Sequence, residues 1–317
     1  MELIHVTMNL LVPPVIVMVI LITMPPYLIY KLVYFIVASS FYMEDMKGKV
    51  VLITGASSGI GEQLVYEYAR RGARLVLVAR RKNLLEQVAN KARGFGSTDV
   101  LIVCADVSKV EDCKRFVEEA VHHFGRLDHL VNNAGVASAY AFEEAINIVN
   151  FVPVMDVNFW GSIYSTHFAI PHLKKSKGKI VVTASPAGWL PVARNSFYGA
   201  SKAALINFFE TLRVELGSSI KITIVSPGFI ESEMTHGKHL SQFGAMEVNQ
   251  QRIDVLIGSF PVATAEMCAK AMVNGACRGA RYITVPSYFG AFFLLKILCP
   301  EILDWFSRPK YQHLITT

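Results

Sequence analysis

The stretch Val50–Gly61, VVLITGASSGIG, limits what this chain can fold into more than any other. Val50 to Ile53 is an apolar run without polar alternation that stops at turn residues, as a strand buried on both faces does. Thr54-Gly55-Ala56-Ser57-Ser58-Gly59-Ile60-Gly61 then turns the chain sharply, and Glu62 to Arg71 continues with helix formers. Gly55 lets such a turn tighten, Gly59 lets backbone approach a pyrophosphate, and Gly61 lets the helix pack closely on the sheet. The head of that helix offers free N–H groups and a positive dipole end to a phosphate. Glycine-rich turns are common, so the rest of the chain has to supply the context.

It does so by alternation. Arg74–Ala79, Val100–Cys104, Leu127–Val131, Lys179–Thr183, Ile220–Val225 and Arg281–Val285 read as strands. Between them, Lys82–Ala92, Lys109–Phe124, a segment within Asn150–Leu173, Ser196–Leu216 and Thr264–Cys277 carry helical spacing. Buried strands alternating with helices mean an α/β fold, a doubly wound parallel sheet of Rossmann type with right-handed crossovers. Residues 41–285 form this domain, 229–260 its irregular substrate lid, and 286–317 an apolar C-terminal extension that either docks on the domain or touches a membrane or partner.

Hydrophobic residues make up 52% of the 317 positions, much of the excess lying at the N-terminus. From Leu3 to Tyr30 no fully charged residue occurs, which predicts a membrane or lipid-droplet anchor over 1–40. Pro13-Pro14 and Pro25-Pro26 leave only ten apolar residues, Val15–Met24, between them. Ten helical residues rise about 15 Å, half a hydrocarbon core, so a hairpin fits better than a straight span. The net charge of +6 is spread rather than clustered, which argues against nucleic acid. Five cysteines without CxxC spacing argue against a disulfide framework or zinc site and fit a reducing compartment. No N-x-[ST] acceptor occurs, in keeping with a domain facing the cytosol. His122, His123, His129, His236 and His239 lack metal-ligand spacing and read as solvated or structural.

Ligands of such sheets bind at the carboxyl ends of the strands. Enzymes using NAD usually carry an acid after the second strand; here Arg80 and Arg81 stand there, with no neighbouring carboxylate to repel a 2′-phosphate. The cofactor expected is NADP(H). Farther along, Ser185 precedes Tyr198-Gly-Ala-Ser-Lys202, and the four-residue spacing puts Tyr198 and Lys202 on one helix face. A free phenol titrates at about 10, and a nearby ammonium favours the phenolate and lowers that value. Tyr198 is then a general acid to a carbonyl or base to an alcohol, and Ser185 steadies the same substrate oxygen.

These residues bring a resemblance into view. TGASSGIG at Thr54–Gly61, NNAG at Asn132–Gly135, Asn158, Ser185, YxxxK at Tyr198–Lys202 and PG at Pro227–Gly228 resemble the short-chain dehydrogenase/reductase family. The resemblance implies a catalytic tetrad of Asn158, Ser185, Tyr198 and Lys202, with Asn158 holding a water relay to Lys202. It further implies that Asp106 and Val107 meet the adenine, that Asn133, Ala134 and Gly135 flank the cofactor, and that Pro227, Gly228 and Ile230 reach the nicotinamide. Lys202 would also grip the nicotinamide ribose. Homodimers through the helices around Tyr164 and Ser201 are common in that family. More narrowly, the interrupted N-terminus, the ARR turn and PGFIESEM at Pro227–Met234 look like the 11-beta-hydroxysteroid dehydrogenase-like group of steroleosin type, whose proline-rich segment anchors the protein to a lipid droplet or endoplasmic reticulum. Ser232 stands where many relatives carry Thr, and Pro186 is expected to line the substrate side.

Phe229, Ile230, Met234, Leu240, Phe243 and Met246 in the lid, with Trp189, Leu190 and Pro191, suggest an apolar substrate pocket. A steroid, sterol or triterpenoid alcohol or ketone suits it. An acyl-chain lipid ketone, or a non-catalytic lipid-droplet coat protein, are the rival readings.

Overall fold

Strand β1, Val50–Thr54, is buried at every position. An apolar run buried along its whole length, Val50–Ile53, belongs in a sheet covered on both faces. The computed structural model describes residues 1–41, 43–258 and 260–307, in two units, Met1–Glu44 and Asp45–Thr317.

In the second unit β2 (Arg74–Ala79), β3 (Val100–Cys104), β4 (His129–Asn132), β5 (Lys179–Thr183) and β6 (Lys221–Pro227) follow β1. A two-stranded antiparallel hairpin, β7 (Lys238–Leu240) with β8 (Met246–Val248), precedes the last strand, β9 (Tyr282–Val285). The main sheet runs β3-β2-β1-β4-β5-β6-β9, parallel at every pairing. Strand order reverses direction between β1 and β4, and at such a switch point a crevice opens beyond the carboxyl ends of the strands. The fold is the Rossmann α/β sheet that the alternation predicts.

Successive strand residues face opposite sides. Val51, Ile53, Leu75 and Leu77 pack against helices α2 (Gly59–Arg70), α3 (Lys82–Gly94) and, late in the chain, Ala265–Arg278. Val50, Leu52, Val76 and Val78 face α4 (Val110–Phe124), α6 (Gly161–Ser176) and α7 (Ser196–Leu216), α5 being the short turn Val152–Met155. Each fully buried aliphatic side chain contributes about 1.5–3 kcal/mol, so two such layers hold the strand ends rigidly in place. The helix expected within Asn150–Leu173 is three pieces, because a π turn, Asp156–Trp160, interrupts it between α5 and α6.

Two expectations need correction. The first unit is one unbroken helix, α1 (Glu2–Phe41), with all four prolines inside it, not a hairpin. Each proline pair removes two helical hydrogen bonds, but reversal also needs turn residues, and Val15–Met24 contains no Gly, Asn or Asp. The lid is not irregular, for it contains the β7–β8 hairpin and α8, Gln250–Ile257, capped by the Asn249 side chain on Arg252 N at 3.2 Å. Its strands are three residues each, too short to show period-two alternation. Of the two readings of the C-terminal extension the structure shows docking: α9 (Ala265–Arg278) and β9 are followed by α10 (Phe289–Leu298) and α11 (Pro300–Ser307), whose Phe289 and Leu303 are buried on the domain.

Candidate active site

The residues that end the strands converge. Thr54, at the tip of β1, accepts the backbone N–H groups of Asn133 and Ala134 on its hydroxyl at 3.0 and 3.1 Å. Asn133 donates from its amide nitrogen to Thr54 O at 3.1 Å and accepts from the Thr183 hydroxyl at 3.3 Å. One asparagine therefore ties together the carboxyl ends of β1, β4 and β5. Beside it the glycine turn is bare backbone for a steric reason. A Cβ on Gly61 would lie 2.0 Å from Gly55 O, and Gly55 itself holds φ +67 against Ala134.

Over this floor lies a cavity of about 450 Å³. Gly55, Ser57, Ser58, Gly59, Ile60 and Gly61 form one wall; Arg80, Arg81, Asp106 and Val107 continue it along β2 and β3. Asn133, Ala134, Gly135, Ser185, Tyr198, Lys202, Pro227, Gly228 and Ile230 complete the predicted set on the same cavity. Asn158 is the exception. It is wholly buried beneath the cavity in the π turn, where its side chain accepts from Val136 N at 2.8 Å and donates to Val136 O and Ser201 Oγ, both at 2.9 Å. Its amide clamps the loop that follows β4 to α7.

Helix α7 presents Tyr198 and Lys202 one turn apart, and Ser185 caps a short turn after β5 by accepting from Ala187 N at 3.2 Å. Lys202 Nζ donates to Thr183 O at 2.8 Å and lies 5.7 Å from the centre of the Tyr198 ring. Burial lowers the Lys202 ammonium to about 8. The depressed phenol expected at Tyr198 is not found in the protein alone. Burial pushes it up, and the Ser185 hydroxyl pulls it only partway back. The Lys202 ammonium, held on Thr183 O 5.7 Å from the ring centre, does not reverse that direction.

The arginine pair divides its work. Arg80 is exposed at the cavity rim. Arg81 turns inward and donates to Ser57 Oγ at 3.2 Å and Ser58 Oγ at 2.9 Å. A carboxylate, contrary to expectation, does stand beside it: Glu233 accepts from Arg81 at 2.6 and 3.0 Å and from Lys238 at 3.0 Å. Hydrogen bonds from Arg81, outweighing partial burial and assisted by Lys238, hold Glu233 at about 2. Sequence reading missed Glu233 because it is 152 positions from Arg81 and meets it only through the lid.

The far end of the cavity is apolar. Pro186, Leu190 and Pro191 line it with Phe229, Met234, Met246 and Phe260 from the lid. Phe243 is exposed and Leu240 is buried elsewhere, so these two do not contribute; Trp189 instead packs on Phe293 with ring centres 5.4 Å apart. Phe289, Phe292 and Leu303 of the C-terminal helices also reach the cavity. Of the histidines, His129 is buried beside the Tyr68 hydroxyl at 3.1 Å, and His239 beside Gly237 O at 2.8 Å.

A family model described as short chain dehydrogenase matches residues 49–242. The "11-beta-hydroxysteroid dehydrogenase 1A" of Arabidopsis thaliana is 54% identical over 98% of this chain and 89% of its own length. The "11-beta-hydroxysteroid dehydrogenase-like 4A" of the same plant is 51% identical, over 95% of this chain and 97% of its own. Among solved structures, a short chain dehydrogenase/reductase from Burkholderia phymatum in complex with NAD superposes with a TM-score of 0.71 at 25% identity, covering 82% of this chain and 96% of that one. An alcohol dehydrogenase from Thermococcus sibiricus, complexed with 5-hydroxy-NADP, gives 0.62 at 25% identity, over 75% and 95%. Motif, sheet order and these likenesses agree, and the chain belongs to the short-chain dehydrogenase family, as an NAD(P)-dependent oxidoreductase acting on CH–OH groups.

Proposed function

We propose that this chain interconverts a secondary alcohol and a ketone on a lipophilic substrate, a steroid, sterol or triterpenoid, with NADP(H) as cofactor. The observation that carries the reading is the meeting of Tyr198, Ser185 and Lys202 on a cavity whose one end is a bare glycine turn and whose other end is apolar. The glycine turn, which has no room for a Cβ, and the inward guanidinium of Arg81 fit a phosphorylated dinucleotide. Gly55–Gly61 would hold its pyrophosphate, Arg80 and Arg81 its 2′-phosphate, Asp106 and Val107 its adenine, and Pro227–Ile230 its nicotinamide end. When bound, NADP(H) supplies or takes up the hydride.

Tyr198 moves the proton. With its phenol pushed up by burial, it is protonated at neutral pH, the form that donates to a carbonyl oxygen under reduction. Ser185 donates to the same oxygen and steadies charge on it. Lys202, fixed by Thr183 O, supplies positive charge beside the phenol, and Asn158 holds Val136 and α7 in register under it. The name of the Arabidopsis relative favours a hydroxysteroid over other lipids.

Helix α1 supports membrane or lipid-droplet attachment, and the lack of an N-x-[ST] acceptor in the sequence favours an oxidoreductase domain on the cytosolic side. Its Glu2–Val33 segment is long and apolar enough to cross a bilayer, and Ile16, Leu21 and Ile29 are exposed.

The test is turnover of a panel of steroid ketones and 3-ketoacyl lipids by the full chain in detergent, followed by NADPH absorbance. Steroid ketones are expected to be reduced, and Tyr198→Phe to keep NADPH binding while losing at least about a hundredfold in kcat. Turnover of acyl ketones alone would move the substrate to acyl lipids; full activity of the Phe variant would remove Tyr198 from the proton transfer.

A further inference from the structure

The donors that suit a 2′-phosphate are already engaged by the chain itself. Glu233 sits among both terminal nitrogens of Arg81 at 2.6 and 3.0 Å, Lys238 Nζ at 3.0 Å and Ser58 Oγ at 3.4 Å. The neighbouring Ser232 lies over the glycine turn, its Cβ 3.2 Å from where a Cβ on Gly59 would be. Both residues belong to the segment between β6 and β7 that leads into the lid, and both line the cavity.

We propose that Glu233 is an internal stand-in for the cofactor's 2′-phosphate and determines which dinucleotide opens this segment. The inference rests on the NADP(H) reading above. An incoming 2′-phosphate takes over the Arg81, Lys238 and Ser58 donors, the like-charged carboxylate leaves, and Ser232–Lys238 lifts from the glycine turn. A dinucleotide with a free 2′-hydroxyl brings no anion to replace the carboxylate, and the pair stays closed. Arg81 and Glu233 keep 37% and 41% of their side-chain surface exposed, so water reaches the pair and the exchange is not blocked by burial. Phosphate outcompetes carboxylate here because it presents more acceptor oxygens and more charge to the same fork of donors.

The probes are adenosine 2′,5′-bisphosphate and AMP, which differ only in the 2′-phosphate, titrated calorimetrically into the full chain in detergent. Glu233→Gln is expected to tighten the bisphosphate about fivefold, the scale of one partly exposed ion pair, and to leave AMP unchanged. In the unmutated chain, amide hydrogen exchange across Ser232–Lys238 is expected to quicken with the bisphosphate and not with AMP. This second measurement needs no variant. If the Gln variant binds the bisphosphate no more tightly, or gains equally for both ligands, Glu233 is not exchanged for the phosphate. If the unmutated chain binds both ligands alike, the 2′-phosphate contact itself is absent and the NADP(H) reading falls with the inference.

Discussion

Burial decides the chemistry of Lys202, and its sign is measurable. Its folded value, about 8, lies below the ordinary 10.5 because burial disfavours the charged form. Below pH 8 both folded and unfolded chains carry the proton, and the folded state bears the whole cost of a buried ammonium, about 3 kcal/mol for a shift of that size. Above pH 10.5 neither carries it, and the cost is gone. Lys202→Met therefore raises the melting temperature of the cofactor-free chain below pH 8, less the loss of one hydrogen bond to Thr183 O, and the gain shrinks to nothing as pH climbs to 10.5. A gap between variant and parent that stays flat over that interval would contradict the assignment. At this scale the sequence was legible where spacing alone fixes geometry: four residues bring Tyr198 and Lys202 onto one face of α7. It was not legible where environment decides. Nothing in YxxxK says that Thr183 O takes the ammonium or that the phenol is pushed up rather than down. Asn158 came from resemblance, and its clamp on Val136 and Ser201 depends on a π turn that no residue pattern announces.

Among the elements, the long buried strands were readable and the short covering ones were not. Strands β2, β3 and β5 and helix α7 have the bounds expected from apolar runs, because each is long enough to carry its own period. The hairpin β7–β8 is ordered by contacts distant in sequence, Leu240 N to Ala137 O at 2.8 Å and Asn150 Nδ2 to Gln242 O at 2.7 Å, and helix α8 by Arg252 Nη1 to Glu144 Oε2 at 3.1 Å. The same holds for α10, set apart as an extension on the sequence. Phe289 is 4% exposed and packs its ring against Phe229 and Phe260, with centres 6.1 and 5.7 Å away. A Cβ on Gly228 would fall 2.3 Å from that ring, so the PG turn and α10 are fitted to each other. Phe289→Ala leaves a void at the joint between cofactor turn, lid and C-terminal helices and costs about 3–5 kcal/mol of stability. Measured at a temperature where the variant remains folded, KM for a steroid ketone is expected to rise more than kcat falls, since the lost ring lines the cavity without touching the Tyr198 group. A fall in kcat at unchanged KM would place Phe289 in the chemistry instead.

The whole molecule joins a catalytic unit to a helix that nothing in that unit explains. Among the described residues, the two buried layers are built from the Asp45–Thr317 unit. At 1.5 Å per residue Glu2–Val33 extends about 48 Å, longer than a hydrocarbon core of about 30 Å, so the helix spans only if tilted or if its ends leave the apolar layer. The prolines matter differently from what their spacing suggested: four missing N–H groups leave carbonyls near Asn9, Leu10, Leu21 and Ile22 without their usual helical partners, a cost in lipid that favours Pro-flanking carbonyls near the interface. Attachment driven by exposed Ile, Leu and Val rather than by charge should survive salt, because apolar burial is not screened. The full chain is expected to float with uncharged phosphatidylcholine vesicles in a density gradient at both low and high salt. Removal of residues 1–44 should leave the remaining unit at the bottom of the gradient, still folded and still turning over a water-soluble ketone with NADPH. Flotation of the shortened chain would assign membrane contact to the exposed Leu294, Ile297, Leu298 and Trp305 of the C-terminal helices. Flotation lost at high salt would mean that charge, and not the apolar side chains of α1, holds the protein to lipid.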